Sequence, residues 1–519
     1  MAALAPIVEA MLKPAFYPHR PARVDLVQTH ISYVFLAGDE VYKVKKPVRF
    51  AFLDFSTLER RSHFCHEEVR LNRRLAGDTY RDVVAICAQD GGFALASEDS
   101  AGAVEYAVRM RRLPADRMLV TLLARGAADA DLIDAIAARM AAFHAAADAS
   151  PEVSRGGDPA VIAGLLEDDF REVDALHGDT ISAADDTAIR RFCRDFLRTH
   201  EAQLRRRQGE GRIRDGHGDL HAEHVCCTDP LIIFDCIEFN PSFRHRDVAA
   251  EMAFLAMDLV YHRRADLADR LVARYAELAR DPDLPSLVPF YACQRAYIRA
   301  KVESLKSAEA EVDAEARAAA RQSAVAHFAL AYRYTWAYTR CLVVVFGLSG
   351  TGKSTVAAAL HDRTGFVHLN SDATRKRLAG VPTTARPGAA LYTPALSAAT
   401  YAALYAAAGE ALAGGRSAIL DATFQLRAHR DAVRDVARRA GAPILFVECV
   451  CPEDEVRRRL RERGRRGDDA SDADWAVYRQ QRERYEPFAA DEPSAHVTVD
   501  TSQPREAQIA RVESAVRGL

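Results

Sequence analysis

No run of apolar residues in this 519-residue sequence approaches the ~18 positions a membrane-crossing helix needs, so no membrane partner is expected. The opening stretch MAALAPIVEAMLKPAF holds Glu9 inside its apolar run and has no basic residues ahead of it, which argues against a secretory leader. CxxC pairs are missing. The ten cysteines fall mostly in apolar surroundings, such as Cys236 in IIFDCIEF and Cys449 and Cys451 in ILFVECVC, and read as buried thiols in a reducing cytoplasm. An excess of one charge sign is missing too. A net charge of −3 leaves no basic footprint for nucleic acid over the whole chain, so polyanion binding would need a local patch. There is no internal repeat, and nothing fixes an oligomeric state.

What is present describes an ordinary globular protein: 49% hydrophobic and 28% charged residues. The length exceeds what one core supports and predicts about two to four domains. Residues 24–50 alternate apolar and polar residues around a Gly-Asp turn, the pattern of a two-stranded hairpin. TLERRSHFCHEEVRLNRRL, from Thr57, switches to helical spacing behind a Ser/Thr cap, and residues 82–110 return to strands. From about Val120 to Arg207 the pattern is Ala-rich and helical; short strands around a loop follow, then helices to about Ala331. SAEAEVDAEARAAARQSAVAHFALAYRYTW lacks Gly and Pro and reads as one connecting helix, with a domain boundary near Arg340. Beyond it CLVVVFG, GFVHLNSD, SAILDATF and PILFVECV are strand-like runs separated by helical stretches, which predicts an α/β domain with a mainly parallel sheet.

VVVFGLSGTGKST carries the sharpest chemistry: a buried strand, then GxxxxGKS, then a helix. Gly347, Gly350 and Gly352 let the backbone of the loop, with Ser349, Thr351 and Thr355, curl its N–H groups toward phosphate oxygens. Lys353 supplies positive charge to the β- and γ-phosphates, Ser354 a hydroxyl for Mg²⁺, and the helix N-terminus a partial positive charge. In VHLNSDATRKRL, Asp372 is expected at the carboxyl edge of the second strand, where it could take a proton from an attacking hydroxyl. Arg375, one helical turn on, is either an acceptor contact or a solvated helix-face residue. Asp421 in SAILDATF is either an Mg²⁺ holder through water or a helix N-cap. Arg459 and Arg463 share one face of PEDEVRRRLRERGRRGDD, either as lid residues or as paired surface charge.

Over residues 341 to about 500 this arrangement resembles the P-loop kinases grouped with polynucleotide 5′-hydroxyl kinases and zeta-type toxins. The resemblance implies ATP, or GTP, as donor with Mg²⁺, Asp372 as general base, Arg375 on the acceptor, and Arg459 and Arg463 in a lid. The acceptor would be a hydroxyl-bearing small molecule or a nucleic-acid 5′-hydroxyl. Many small-molecule kinases share this frame.

GHGDLHAEHVCCTDPLIIFDCIEF, from Gly216, gathers four kinds of metal-capable side chain. A zinc site would draw on His217, His221 and His224 with Cys226 and Cys227, but no helical run aligns them; a buried hairpin is the second alternative. The spacing fits a phosphotransferase loop better. Asp219 would meet the acceptor hydroxyl, and Asp235, after the next apolar strand, would hold Mg²⁺ on the ATP phosphates. The stretch resembles the aminoglycoside phosphotransferase and choline kinase superfamily, whose loop reads HGDLHxxN before a metal-binding Asp. It implies a protein-kinase-like bilobal domain over 1–335, with a small lobe at about 20–115 and a helical large lobe at about 116–335, followed by a P-loop kinase domain over 340–519. In GDEVYKVKK, Lys43 is the expected phosphate lysine and Lys45 the alternative; Glu68 is its expected helix partner and Glu67 the alternative.

Two features depart from that superfamily. His224 stands where it has Asn, and imidazole suits Mg²⁺ less than oxygen does, so Glu223 or Glu238 would have to compensate, or a softer metal or a single metal would serve. No Gly-rich loop precedes Val41, leaving QTHIS, with Thr29 and Ser32, in its place. Two readings follow: two hydroxyl kinases joined in one cytoplasmic chain, or one P-loop kinase regulated by a nucleotide- or metabolite-binding N-terminal module.

Overall fold

The computed structural model describes residues 5–50, 52–89, 91–309, 312–382, 391, 393–466 and 474–519. The chain divides into two compact units, Met1–Ala331 and Tyr332–Leu519.

The first unit begins with an antiparallel sheet ordered Val24–Gln28, Ser32–Ala37, Glu40–Lys45, Ala103–Arg111, Tyr80–Gln89, Gly92–Ser97. Period-two alternation gives it two apolar faces. Phe35, Ala37, Tyr42 and Val44 pack on one side with Ile86 and Ala107. Val41, Val83, Val108 and Met110 face Cys65, Val69 and Ala76 of the helix Leu58–Ala76. Thr57 caps that helix as expected, accepting from Arg60 N. The two-stranded hairpin expected over 24–50 is instead three strands and a further short one, Arg49–Phe50. Thr29 causes the extra turn: its Oγ1 accepts from Ser32 N at 3.0 Å and closes the chain on itself.

Helices including Ala130–Ala146, Pro159–Val173 and Ala183–Thr199 build the rest of the unit around Val248–Tyr261, a helix buried on nearly every side. The loop stretch lies between two small ladders. Ile213–Asp215 pairs with His245–Asp247, and Val225–Cys226 with Ile232–Ile233. The single connecting helix expected near residues 307–336 is two helices, Leu284–Ala308 and Ala314–Tyr334. Glu309 caps the first through its N–H to Lys306 O, and Asp313 Oδ1 accepts from Ala316 N in the first turn of the second.

The second unit is a wholly parallel sheet ordered Val367–Asn370, Ala418–Asp421, Leu342–Phe346, Ile444–Val450, Ala495–Asp500. Its central strand, Leu342–Phe346, is buried at every residue, as a parallel strand covered on both faces must be. The fifth strand was not expected from the sequence. It lies at the edge with most of its residues exposed or half-buried, so AHVTVD carries no continuous apolar run.

Candidate active sites

The first unit brings Lys43, Glu68 and Asp235 together. Lys43 Nζ lies 2.8 Å from Glu68 Oε1 and 2.6 Å from Asp235 Oδ1, with 13% of its side chain exposed. Lys45 is wholly buried beneath the Phe55 ring, bonded to Glu68 Oε2 at 2.7 Å and paired with Glu238. Of the two lysines, Lys43 therefore reaches the carboxylate after the apolar strand, and Lys45 anchors the helix behind it. Glu67 pairs with Arg70 at the surface instead. Burial alone would lower the Lys43 pKa and raise that of Asp235. The mutual attraction of the two charges outweighs it, so Lys43 lies well above its ordinary value and Asp235 below. Asp235 adopts φ 63°, a left-handed conformation that Asp tolerates better than most residues and that its surroundings hold: its N–H donates to Tyr80 Oη at 3.2 Å, and Cys236 N donates to Asn72 Oδ1 at 2.9 Å.

Asp219, His221 and His224 converge. His217 and the cysteines stand apart from this set: His217 Nε2 bonds Phe234 O at 2.8 Å, and Cys226 and Cys227 are buried. His224 Nδ1 bonds Asp219 O at 2.9 Å, which makes Nδ1 the protonated nitrogen and turns the Nε2 lone pair toward Asp235 Oδ2, 3.4 Å away. Burial and the neighbouring His221 push the His224 pKa down to about 4, so this imidazole is neutral near pH 7. A neutral nitrogen and an ionised carboxylate at this spacing can share a divalent cation. Neither acid expected to compensate for His224 turns to it: Glu238 pairs with Lys45, and Glu223 has 60% of its side chain exposed. Burial would raise the Asp219 pKa, but His221, His224 and Arg299 outweigh it and keep the carboxyl ionised.

Two acids that no motif marked hold this loop. Glu251 Oε1 accepts from His217 N at 2.6 Å and Gly218 N at 2.7 Å, and its other oxygen pairs with His144. Asp258 Oδ2 accepts from Ala222 N at 2.7 Å. Both sit in the apolar run AAEMAFLAMDLV, and the signal available was that a buried helix carries an acid only where it has a partner. Glu251→Ala strands two buried N–H donors and is expected to cost about 3–5 kcal/mol in urea unfolding of this unit. Burial would raise the Glu251 pKa, yet His144, His217 and the Gly218 N–H hold it at about 2 against an ordinary 4.5. That contribution is complete above pH 4.5 and is lost as pH falls toward 2, so the gap between wild type and variant closes over that range.

In the second unit Gly347 adopts φ 140°, and a Cβ there would meet Cys449 O at 2.5 Å, so only glycine lets the loop leave the central strand this way. Thr351 Oγ1 donates to Leu348 O at 2.8 Å, and Ser349 N donates to Gln481 Oε1 at 2.9 Å. The helix starts at Lys353 after Gly352, with Ser354 and Thr355 exposed at its mouth. Lys353 Nζ donates to Leu348 O at 2.9 Å, and burial lowers its pKa against the pull of Asp421. Asp421 ends its strand and is buried, accepting from Asn370 Nδ2 at 2.6 Å and bonding His368 at 3.3 Å. The nearby Ser354 hydroxyl helps hold the Asp421 pKa down, so a hydroxyl and a carboxylate oxygen suited to Mg²⁺ lie close together here. The N-cap alternative for Asp421 fails: the next helix starts at Arg427, behind Leu426.

Asp372 lies in the first turn of the helix Ser371–Leu378, beyond the strand edge where it was expected, because Asn370 takes the capping position by accepting from Ala373 N. Arg375 is buried and paired with Asp372, so the solvated alternative fails as well. Arg459 stands against the P-loop, not free over it. It bonds Glu455 at 2.8 Å and Thr501 Oγ1 at 2.9 Å, while Thr501 donates to Thr351 O at 2.6 Å. Arg463 is half-buried on the same helix, Glu453–Arg466, and its charge is felt at Lys353. No motif announced Thr501 or Gln481, because single polar residues on distant segments leave no local pattern.

Residues 342–488 match the AAA domain family. Among solved structures, a gluconokinase from Sinorhizobium meliloti is 23% identical over 35% of this chain and 93% of its own, with a TM-score of 0.25. The APS kinase of Mycobacterium tuberculosis, solved with AMPPNP and APS, is 22% identical over 34% of this chain and 99% of its own, also with a TM-score of 0.25. Along the whole chain the likeness is to the uncharacterized proteins Rv2004c of Mycobacterium tuberculosis and Mb2027c of Mycobacterium bovis, each 33% identical over 496 residues. With 94% of both sequences covered in each comparison, this chain belongs to the same protein family as those mycobacterial proteins.

Proposed function

We propose that the protein is an ATP-dependent kinase with two phosphotransfer centres: a P-loop kinase in Tyr332–Leu519 and a phosphotransferase of the aminoglycoside phosphotransferase type in Met1–Ala331. For the second unit the support is the P-loop with Lys353, Ser354 and Asp421 together, along with the family match. For the first unit the observation that carries the reading is Lys43, held between Glu68 and Asp235 from far along the chain, with Asp219 joined to Asp235 through His224. A lysine on the third strand, fixed by a helix glutamate and facing a carboxylate beside an HGD loop, is what phosphate binding and transfer require.

In both centres the acceptor oxygen bonds to the γ-phosphorus as the bond from that phosphorus to the β–γ bridging oxygen breaks. ADP leaves with the electron pair. The hydroxyl proton passes to Asp219 in the first unit and to Asp372 in the second. Asp219 is a weak base, so its main work is to orient the hydroxyl by accepting its hydrogen bond, with the proton moving late in a loose transition state. Arg375 aims Asp372 through their ion pair, and Arg459 and Arg463 bring positive charge to the P-loop side. Mg²⁺, when bound, neutralises charge on the β- and γ-phosphate oxygens. Ser354 and Asp421 fit it through oxygen, and Asp235 with His224 offers one carboxylate and one imidazole.

For the P-loop centre, Asp372→Asn is expected to keep ATP affinity and lower transfer about 10²-fold or more. ATP binding by calorimetry beside turnover on small hydroxyl acceptors and 5′-hydroxyl oligonucleotides makes the check; a parallel fall in both assigns Asp372 to binding instead. One observation favours a second reading, in which the first unit binds nucleotide or metabolite and regulates without turnover: His224 offers nitrogen where Mg²⁺ takes oxygen.

A further inference from the structure

The catalytic loop of the first unit is bordered by guanidinium groups that its own acids leave incompletely matched. Arg295, on the helix Leu284–Ala308, is 8% exposed. Its Nη1 donates to Gly218 O, next to Asp219, at 3.3 Å, and the group lies 4.9 Å from the Phe254 ring centre. Its buried Nε has no hydrogen-bond partner. Arg246, in the strand His245–Asp247 that pairs with the start of the loop, stands opposite Arg214 in register, and its Nε is likewise buried and unpartnered. Among the described residues no carboxylate forms an ion pair with Arg246 or Arg295. Arg299, one turn beyond Arg295, adds a third cation, partly matched by Glu303 at 3.4 Å and Glu223 at 3.9 Å.

Burial and the charge of Arg295 press the Arg246 pKa down to about 10, and Tyr291 and Asp169, neither paired with it, offset only part of that. A buried guanidinium next to Asp219 and a half-buried one whose charge it feels, each with a buried Nε that has no partner, match a planar or tetrahedral oxyanion. An ammonium-bearing acceptor would meet repulsion there.

We propose that Arg246 and Arg295 bind the anionic end, a phosphate monoester or a carboxylate, of the hydroxyl compound phosphorylated beside Asp219. The inference rests on reading Met1–Ala331 as a phosphotransferase, and it makes the acceptor an anion, unlike the amino sugars that the superfamily's name suggests.

The test is binding, read without turnover, by calorimetry on the full chain carrying Lys353→Ala so that the P-loop lysine does not hold the probe. The probes are glycerol phosphate, glycerate, glycerol and aminopropanediol, matched in hydroxyl content and different in charge. The expected result is that one or both anions bind, that glycerol and aminopropanediol bind more weakly, and that Arg246→Gln lowers anion affinity about 10-fold or more. Arg246→Lys should recover part of that loss. Which anion binds more tightly separates phosphate from carboxylate. Arg295→Gln should act in the same direction; if it unfolds the unit in a thermal melt, Arg246→Gln decides alone. The proposal is overturned if neither anion binds, if the neutral or amino probe binds as tightly, or if Arg246→Gln leaves anion affinity unchanged. Asp219-dependent turnover is measured separately, so failure here leaves the kinase reading to its own test.

Discussion

Lys353→Ala lowers phosphoryl transfer by the P-loop unit about 10²- to 10³-fold, the usual cost of removing one aimed positive group from a transition state that carries negative charge. Lys353 Nζ bonds a single carbonyl, Leu348 O, and forms no ion pair among the described residues. Its ammonium is depressed by burial and drawn back up mainly by Asp421. Such a cation adds little to the core, and phosphate oxygens are the counter-charge its position lacks. The variant therefore keeps its thermal unfolding midpoint to within a few degrees while losing turnover. Equal turnover at saturating ATP, with unaltered ATP affinity, would remove the P-loop lysine from the chemistry.

Asp219→Asn is expected to lower acceptor-dependent turnover by the first unit about 10²- to 10⁴-fold while ATP affinity stays near that of the wild type. Asparagine keeps the size of the side chain and gives up its charge, so the loop should remain fastened by Glu251 and Asp258, neither of which touches the Asp219 side chain. Asp235→Asn behaves differently. It removes the partner of Lys43 and the carboxylate facing His224, so ATP affinity and turnover should fall together. His224→Asn replaces a nitrogen ligand with an oxygen and should hold or raise turnover with Mg²⁺. If Asp219→Asn leaves every acceptor-dependent activity intact, the regulatory reading of this unit replaces the catalytic one.

How much of this was legible in the sequence follows from how local each feature is. GLSGTGKS could be read because a phosphate cradle needs particular residue types at fixed short spacing. Ala418–Asp421, Leu342–Phe346 and Ile444–Val450 could be read because strands inside the sheet are covered on both faces and largely apolar, whereas Ala495–Asp500, exposed at the edge, gave no such run. The choice between Lys43 and Lys45 stayed open for a physical reason. Both point to the same side of the strand, and only the fold sets Glu238 against one and Asp235 against the other. Glu251, Asp258 and Arg295 act across long sequence separations with ordinary residue types, and a single sequence does not encode such pairs locally. The break between Leu284–Ala308 and Ala314–Tyr334 escaped because Asp313, an unremarkable acid in a charged stretch, does the capping.

The central claim is that one chain holds two phosphotransfer centres, and transfer of label from γ-labelled ATP tests it most directly. The full chain carrying Lys353→Ala is compared with the full chain carrying Lys353→Ala and Asp219→Asn, across neutral, amino and anionic hydroxyl acceptors. The account predicts labelled product in the first protein with at least one acceptor, and its loss in the second at unchanged ATP affinity. No labelled product from any acceptor in the Lys353→Ala protein, although ATP still binds Met1–Ala331, would contradict it.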